Sequence, residues 1–217
     1  MTRYWIGGSP CAGKSSVAAV LAARHGLRHV ACDEGAPARM DRMAGLPAYE
    51  ELVALDTCAR LARPPDRQVE LTLAFYAEQF RFLLDELPAG GPLLVEGADL
   101  LPSLLGGAGV PLDRSVWIVP TPGFQRRHYA GRTWVEPYLA GCPDPAAAFD
   151  SWMQRDVRYA RHVRATAEER GARVIVVDGG RTIEQVAAVV ERHFGLSPAP
   201  VRAAAGNASR APKTVGG

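Results

Sequence analysis

Apolar positions along this chain fall into two patterns that alternate from the first residues to about residue 195. Short, nearly continuous apolar runs occupy Arg3–Gly7, Leu27–Cys32, Pro92–Gly97, Arg114–Pro120 and Ala172–Val177. Runs of this length, bounded by turn formers, read as strands buried on both faces. Between them the spacing turns helical. Ser15–His25 places Val17, Ala18, Val20 and Leu21 on one side, as a helix that covers a sheet does. Residues 37–87 carry no strand signal. Pro47 opens an amphipathic helix (Tyr49, Leu52, Val53, Leu55) that ends before Pro64-Pro65, and a longer helix runs from Asp66 to Leu87. Asp144–Arg170 and Thr182–His193 complete the helices. Strands alternating with helices predict a three-layer α/β/α sandwich around a five-stranded parallel sheet. Residues 197–217, rich in Ala, Pro, Gly and Ser without periodicity, read as a disordered tail beyond a single domain over 1–196.

The first strand runs straight into Gly8-Ser9-Pro10-Cys11-Ala12-Gly13-Lys14-Ser15, the spacing G-x-x-x-x-G-K-S, and a helix begins at once. That context is the one a phosphate-binding loop requires. Its glycines let successive N–H groups turn inward into an anion nest at the positive end of the helix. Residues Gly8 to Ser16 are therefore expected to hold a nucleoside triphosphate. Lys14 is expected to reach the β- and γ-phosphates and the Ser15 hydroxyl to ligate Mg²⁺. Among 25 lysines and arginines only Lys14 and Lys213 are lysine. A compact ammonium suits a phosphate nest where a planar guanidinium is too wide.

Two later strands end in acids. Asp33-Glu34 comes after the second, at the edge where α/β folds bind ligands; a helix cap or a solvated turn is the competing reading. Glu96 ends the third, where a buried strand delivers a carboxylate to the Mg²⁺ side of a phosphate loop, with Asp99 as the second choice. After the fourth strand, residues 121–142 concentrate cations and aromatics around Gly131. This segment reads as a lid whose Arg127 and Arg132 act on the transferring phosphoryl group. Arg39 and Arg42 are candidate substrate contacts, and Arg155 and Arg158 candidate phosphate contacts. The Asp178-Gly179-Gly180 turn is a candidate border for adenine.

Composition narrows the partners. A net charge of +2 gives no case for nucleic acid or a membrane surface, and no apolar run approaches the ~20 residues of a spanning helix. The chain opens on a strand without a signal-like region. Cys11, Cys32, Cys58 and Cys142 have neither metal-ligand nor redox spacing, so reduced thiols and a cytoplasmic location are expected.

The loop at Gly8–Ser16, with Asp33, the Val95-Glu96-Gly97 stretch and the Arg126–Arg132 lid, resembles the small P-loop kinases. This group contains the nucleoside-monophosphate kinases, shikimate kinase and chloramphenicol phosphotransferase. The resemblance implies sheet order 2-3-1-4-5, an acceptor held by the helices after the second strand (residues 37–87), and Asp33 as the acid that orients or deprotonates the acceptor hydroxyl. It implies an ATP- and Mg²⁺-dependent phosphotransferase acting on a small molecule, as a monomer or homodimer. The alternative is a nucleotide-binding ATPase or switch without a small acceptor. A guanine-specific switch is disfavoured, because Asn207 is the only asparagine and no Asn-Lys-x-Asp motif exists.

Overall fold

The structure, a computed structural model, describes residues 2–196. The tail expectation for 197–217 lies outside the described residues. In chain order the elements are β1 (Arg3–Gly8), α1 (Lys14–His25), β2 (Arg28–Ala31), α2 (Ala36–Asp41), α3 (Pro47–Val53), α4 (Thr57–Leu61) and α5 (Pro65–Glu86). Next come β3 (Leu93–Glu96), α6 (Pro102–Gly107), β4 (Ser115–Pro120), α7 (Pro122–Ala130), α8 (Val135–Leu139), α9 (Pro145–Glu169), β5 (Arg173–Val177) and α10 (Ile183–His193). The strands form one parallel sheet in the order β2-β3-β1-β4-β5, the connectivity of the small P-loop kinases.

Alternation along each strand sends side chains to two separate cores. Ile6, Leu94, Val116, Ile118 and Ile175 face α1 and α10, where they meet Val17, Leu21, Val186 and Val190. Trp5, Leu93, Val95, Trp117 and Val119 face α5 and α9, where they meet Phe80, Leu83, Tyr159 and Val163. Both faces are covered, which is why the strands read as unbroken apolar runs. A third, smaller cluster joins α7 and α8 to α9: Tyr129, Val135 and Leu139 pack on Trp152 and Met153, with Leu61 of α4 beside them.

Two sequence expectations are corrected. The helix expected from Pro47 to the Pro64-Pro65 pair is two helices, because the Asp56 carboxylate accepts from the Ala59 N–H at 2.8 Å and starts α4 afresh. The expectation of four reduced thiols holds for Cys11 and Cys32 only. Cys58 of α4 and Cys142, just after α8, form a disulfide across 84 residues of sequence. Nothing in their spacing announces the pair; the packing of α4 near α8 brings their Cα atoms to 5.2 Å, within bridging range.

Candidate functional site

The register of the sheet builds the site. Glu96 pairs with Ile6 on one side and Ala31 on the other, so the ends of β1, β2 and β3 meet at one edge. Beyond these three ends lie, in turn, the phosphate loop, Cys32-Asp33 and Gly97–Asp99.

The loop curls because its glycines allow it. Gly8 sits at φ 136°, and a Cβ there would lie 1.9 Å from the Ile118 carbonyl oxygen. Gly13, at φ 78°, heads α1, which has no side-chain cap on its first turn. The N–H groups of that turn thus face the loop without a protein side chain on them. Cys11 is the one non-glycine residue in the left-handed region among the described residues, at φ 60°. Strain of this kind persists where the surroundings over-determine the backbone, most often at ligand sites.

Lys14 is buried at 8% exposure and donates from Nζ to the Ser9 carbonyl at 3.0 Å. Burial pulls its ammonium below the ordinary value, and the charges of Glu96, Asp33 and Asp99, in that order, oppose the pull. The three carboxylates named from sequence are therefore grouped about this one cation. Asp33 is exposed and lies in the single 3₁₀ turn after β2. Glu96 is buried, with His29 Nε2 3.7 Å from its Oε1.

Asp99 is also buried. Its Oδ2 accepts from Gln79 Nε2 at 2.9 Å, and its Oδ1 has no partner. Burial pushes its carboxyl up to about 6. The neighbouring Cys32 thiol is pushed far up, by burial first and the Asp99 charge second. Ser15 and Ser16 are exposed at the start of α1. No cluster of three or more His, Cys, Asp or Glu residues suited to a metal ion exists among the described residues. The oxygen donors at hand, Ser15, Glu96 and the unpartnered Asp99 Oδ1, are of the hard type that suits Mg²⁺, which takes few protein ligands beside phosphate and water.

One cavity touches the loop and a second lies beside α7. The first, of about 160 Å³, is bounded by Pro10 of the loop, Phe75 and Tyr76 of α5, and Arg155, Asp156 and Tyr159 of α9. The second, of about 410 Å³, lies between α7 and the turn after β5, bounded by Phe124, Arg127, His128, Arg132 and Gly179. Both lid arginines expected from the sequence thus face a common space. Arg132 also sits near enough to the loop to oppose the burial that raises the Cys11 thiol. Arg126 is turned away, onto Asp150 at 2.5 Å.

Three of the other candidate arginines are held in ion pairs. Arg39 is 2% exposed and ties the segment after β2 to α5, donating to Glu86 at 2.8 Å and to the Cys32 carbonyl. Arg42 pairs with Asp85 and Glu86. Both arginines, expected as substrate contacts, are held in these ion pairs. Arg158 pairs with Asp66 at 2.6 Å, whereas Arg155 borders the smaller cavity. The residue that sequence reasoning missed is Asp156. It lies within an arginine-rich helix that reads as a solvated face, yet the α9 turn carrying it borders the loop.

No family model matches this chain, and no curated protein matches it. Solved structures that resemble it include shikimate kinase from Acinetobacter baumannii in complex with shikimate, at 15% identity and TM-score 0.49, over 90% of this chain and 94% of that one. An uncharacterised protein from Eubacterium ventriosum gives 11% identity and TM-score 0.44 over 89% and 98%. A provisionally named kinase of Chloroflexus aurantiacus gives 15% and 0.44 over 88% and 97%. Each is a distant likeness of shape and names no activity for this chain.

Proposed function

We propose that this chain is an ATP- and Mg²⁺-dependent phosphotransferase that phosphorylates a hydroxyl, or a phosphate, of a small molecule. The observation that carries the reading is a cavity that touches the phosphate loop at Pro10, together with a second cavity under the arginines that follow β4. The larger, under Arg127 and Arg132, suits a nucleotide. The smaller, reaching Pro10, suits an acceptor beside the transferring group. An ATPase without an acceptor has no use for the smaller.

Gly8 to Ser16 would cradle the phosphates with backbone N–H groups, and Lys14 would leave the Ser9 carbonyl for the phosphate oxygens. Mg²⁺ would be held by Ser15 and Glu96, with Asp99 adjacent, and would supply charge neutralisation at the phosphate oxygens. Arg127 and Arg132 would meet negative charge that develops during transfer, in a site from which the lid excludes water. Asp33, at the carboxyl end of β2, would accept the proton of the attacking hydroxyl. Gly179 and Phe124 would border the base.

A screen of hydroxyl-bearing metabolites for acceptor-dependent ADP release tests the reading. Release stimulated by a defined acceptor is expected; nucleotide hydrolysis that no acceptor stimulates would sink it in favour of an ATPase.

A further inference from the structure

Beside the phosphate loop, one buried carboxylate oxygen makes no hydrogen bond, although the Tyr129 hydroxyl lies near the same carboxylate. Asp156 is 2% exposed, and its Oδ1 takes both N–H groups of one edge of Arg155, from Nε at 2.7 Å and Nη2 at 2.6 Å. Its Oδ2 is buried and has no hydrogen-bond partner. Asp156 lines the cavity of about 160 Å³ that Pro10 closes on the loop side. A buried polar atom without a partner costs about 1–3 kcal/mol, and more when charged. Such an atom persists in a pocket wall where a ligand donor completes it.

The rest of the wall restricts the ligand further. Tyr76 and Tyr159 meet edge to face at 6.0 Å between ring centroids, and the Tyr159 hydroxyl is spent on the Ala98 carbonyl. With Phe75 these rings present an apolar surface. Arg155 and Asp156 neutralise one another within the pair, so what the wall offers a ligand is the lone pairs of Asp156 Oδ2, which accept from a hydroxyl or ammonium and oppose a carboxylate. At about 160 Å³ the space falls below the ~300–1,000 Å³ of drug-sized ligand pockets.

We propose that Asp156 is the residue that selects the acceptor, a small ring compound, neutral or cationic. Beside the hydroxyl to be phosphorylated, it carries a second hydroxyl or an ammonium that donates to Asp156 Oδ2. This inference rests on the phosphotransferase reading and specifies its substrate class. The competing occupant is a hydroxy acid whose carboxylate extends into the adjoining cavity of about 70 Å³, where Arg60 lies without a carboxylate partner among the described residues.

A matched ring series separates the two: trans-2-aminocyclohexanol, cis-1,2-cyclohexanediol and cis-2-hydroxycyclohexanecarboxylate, each given to the full chain with ATP and Mg²⁺. The amino alcohol and the diol are expected to raise ADP release, and the hydroxy acid to leave it at the background rate. In Asp156→Asn the KM for the responding compound is expected to rise about tenfold, equivalent to 1.4 kcal/mol. Its kcat and its KM for ATP should stay within about threefold, which a merely structural lesion would not respect. Equal or better use of the hydroxy acid overturns the inference, as does absence of response to both donors. A variant whose acceptor KM is unchanged overturns it too. The wild-type ranking decides the question even if Asp156→Asn fails to fold. Loss of ATP–Mg²⁺ stabilisation in the wild type would instead sink the phosphotransferase reading itself.

Discussion

The Lys14 ammonium donates to the Ser9 carbonyl, 3.0 Å away within the same loop, and feels the charges of Glu96, Asp33 and Asp99. The loop therefore holds its own cation in place of a phosphate oxygen. Removing that cation should abolish nucleotide binding. At an ATP–Mg²⁺ concentration about 100 times Kd, binding stabilises a protein by about 2.7 kcal/mol. Wild type should show this as a rise in Tm, and Lys14→Ala should show none. A Tm rise retained in full by the variant would refute the loop assignment.

Arg127 and Arg132 border one cavity, but neither is buried. An arginine that acts on developing charge is felt in the transition state more than in the ground state. Arg127→Ala and Arg132→Ala should each lower kcat by roughly 10²-fold, the loss seen when one charge-stabilising donor is removed. KM for ATP should change far less. Steady-state kinetics with an active acceptor decide it, and wild-type kcat in both variants would remove the lid from the mechanism.

Asp33 distinguishes a base from a structural acid. Asp33→Asn keeps the side-chain volume and removes the proton acceptor. Acceptor phosphorylation should fall by roughly 10²–10⁴-fold, with ATP affinity nearly unchanged and slow background hydrolysis retained. Parallel losses of ATP affinity and turnover would place Asp33 in the Mg²⁺ shell instead.

Asp99 makes stability depend on pH in a stated direction. Its folded-state value of about 6 lies above the ordinary 3.8, because burial disfavours the charge. The folded chain then holds a proton that the unfolded chain has released. Stability from this group is present below pH ~4 and is lost as pH rises through ~6, by an amount of the order of 2–3 kcal/mol. Asp99→Asn should remove that slope. The Tm difference between variant and wild type, measured from pH 4 to 8, should grow in the variant's favour and level off above pH 7. A constant difference would contradict the burial argument.

The Cys58–Cys142 disulfide closes a long stretch of chain and joins α4 to the segment between α8 and α9. Cross-links of this kind limit the unfolded chain, with typical effects of about 2–4 kcal/mol. Cys58→Ser should lower the unfolding free energy by about that much. A dithiol reductant should bring the wild type to the same value and leave the variant where it is. Equal stability of wild type and variant without reductant would count against the bridge.

Much of this molecule was legible before its structure. The strands at β1, β3 and β4 stood out because both their faces are buried, which erases the polar alternation that blurs other strands. The phosphate-loop motif was legible because it is local: two glycines, a lysine and a serine stand at fixed spacing between a strand and a helix. The capping box at Thr182 and Gln185, which starts α10 near its expected position, is local in the same sense.

The features that stayed hidden depend on which elements meet. Asp33, Glu96 and Asp99 lie far apart along the chain from Lys14, and only the parallel register at Ile6, Ala31 and Glu96 brings them to that one lysine. Arg39 looks like a substrate contact in a polar segment, until α5 arrives with Glu86 to bury it. Asp156 looks like one more charge on a solvated helix, until the packing of α9 against α5 and the loop closes a cavity around it. Cys58 and Cys142 have no sequence relation at all. Local backbone chemistry is written in neighbouring residues, whereas the protonation, pairing and exposure of a side chain are set by whatever the fold packs against it.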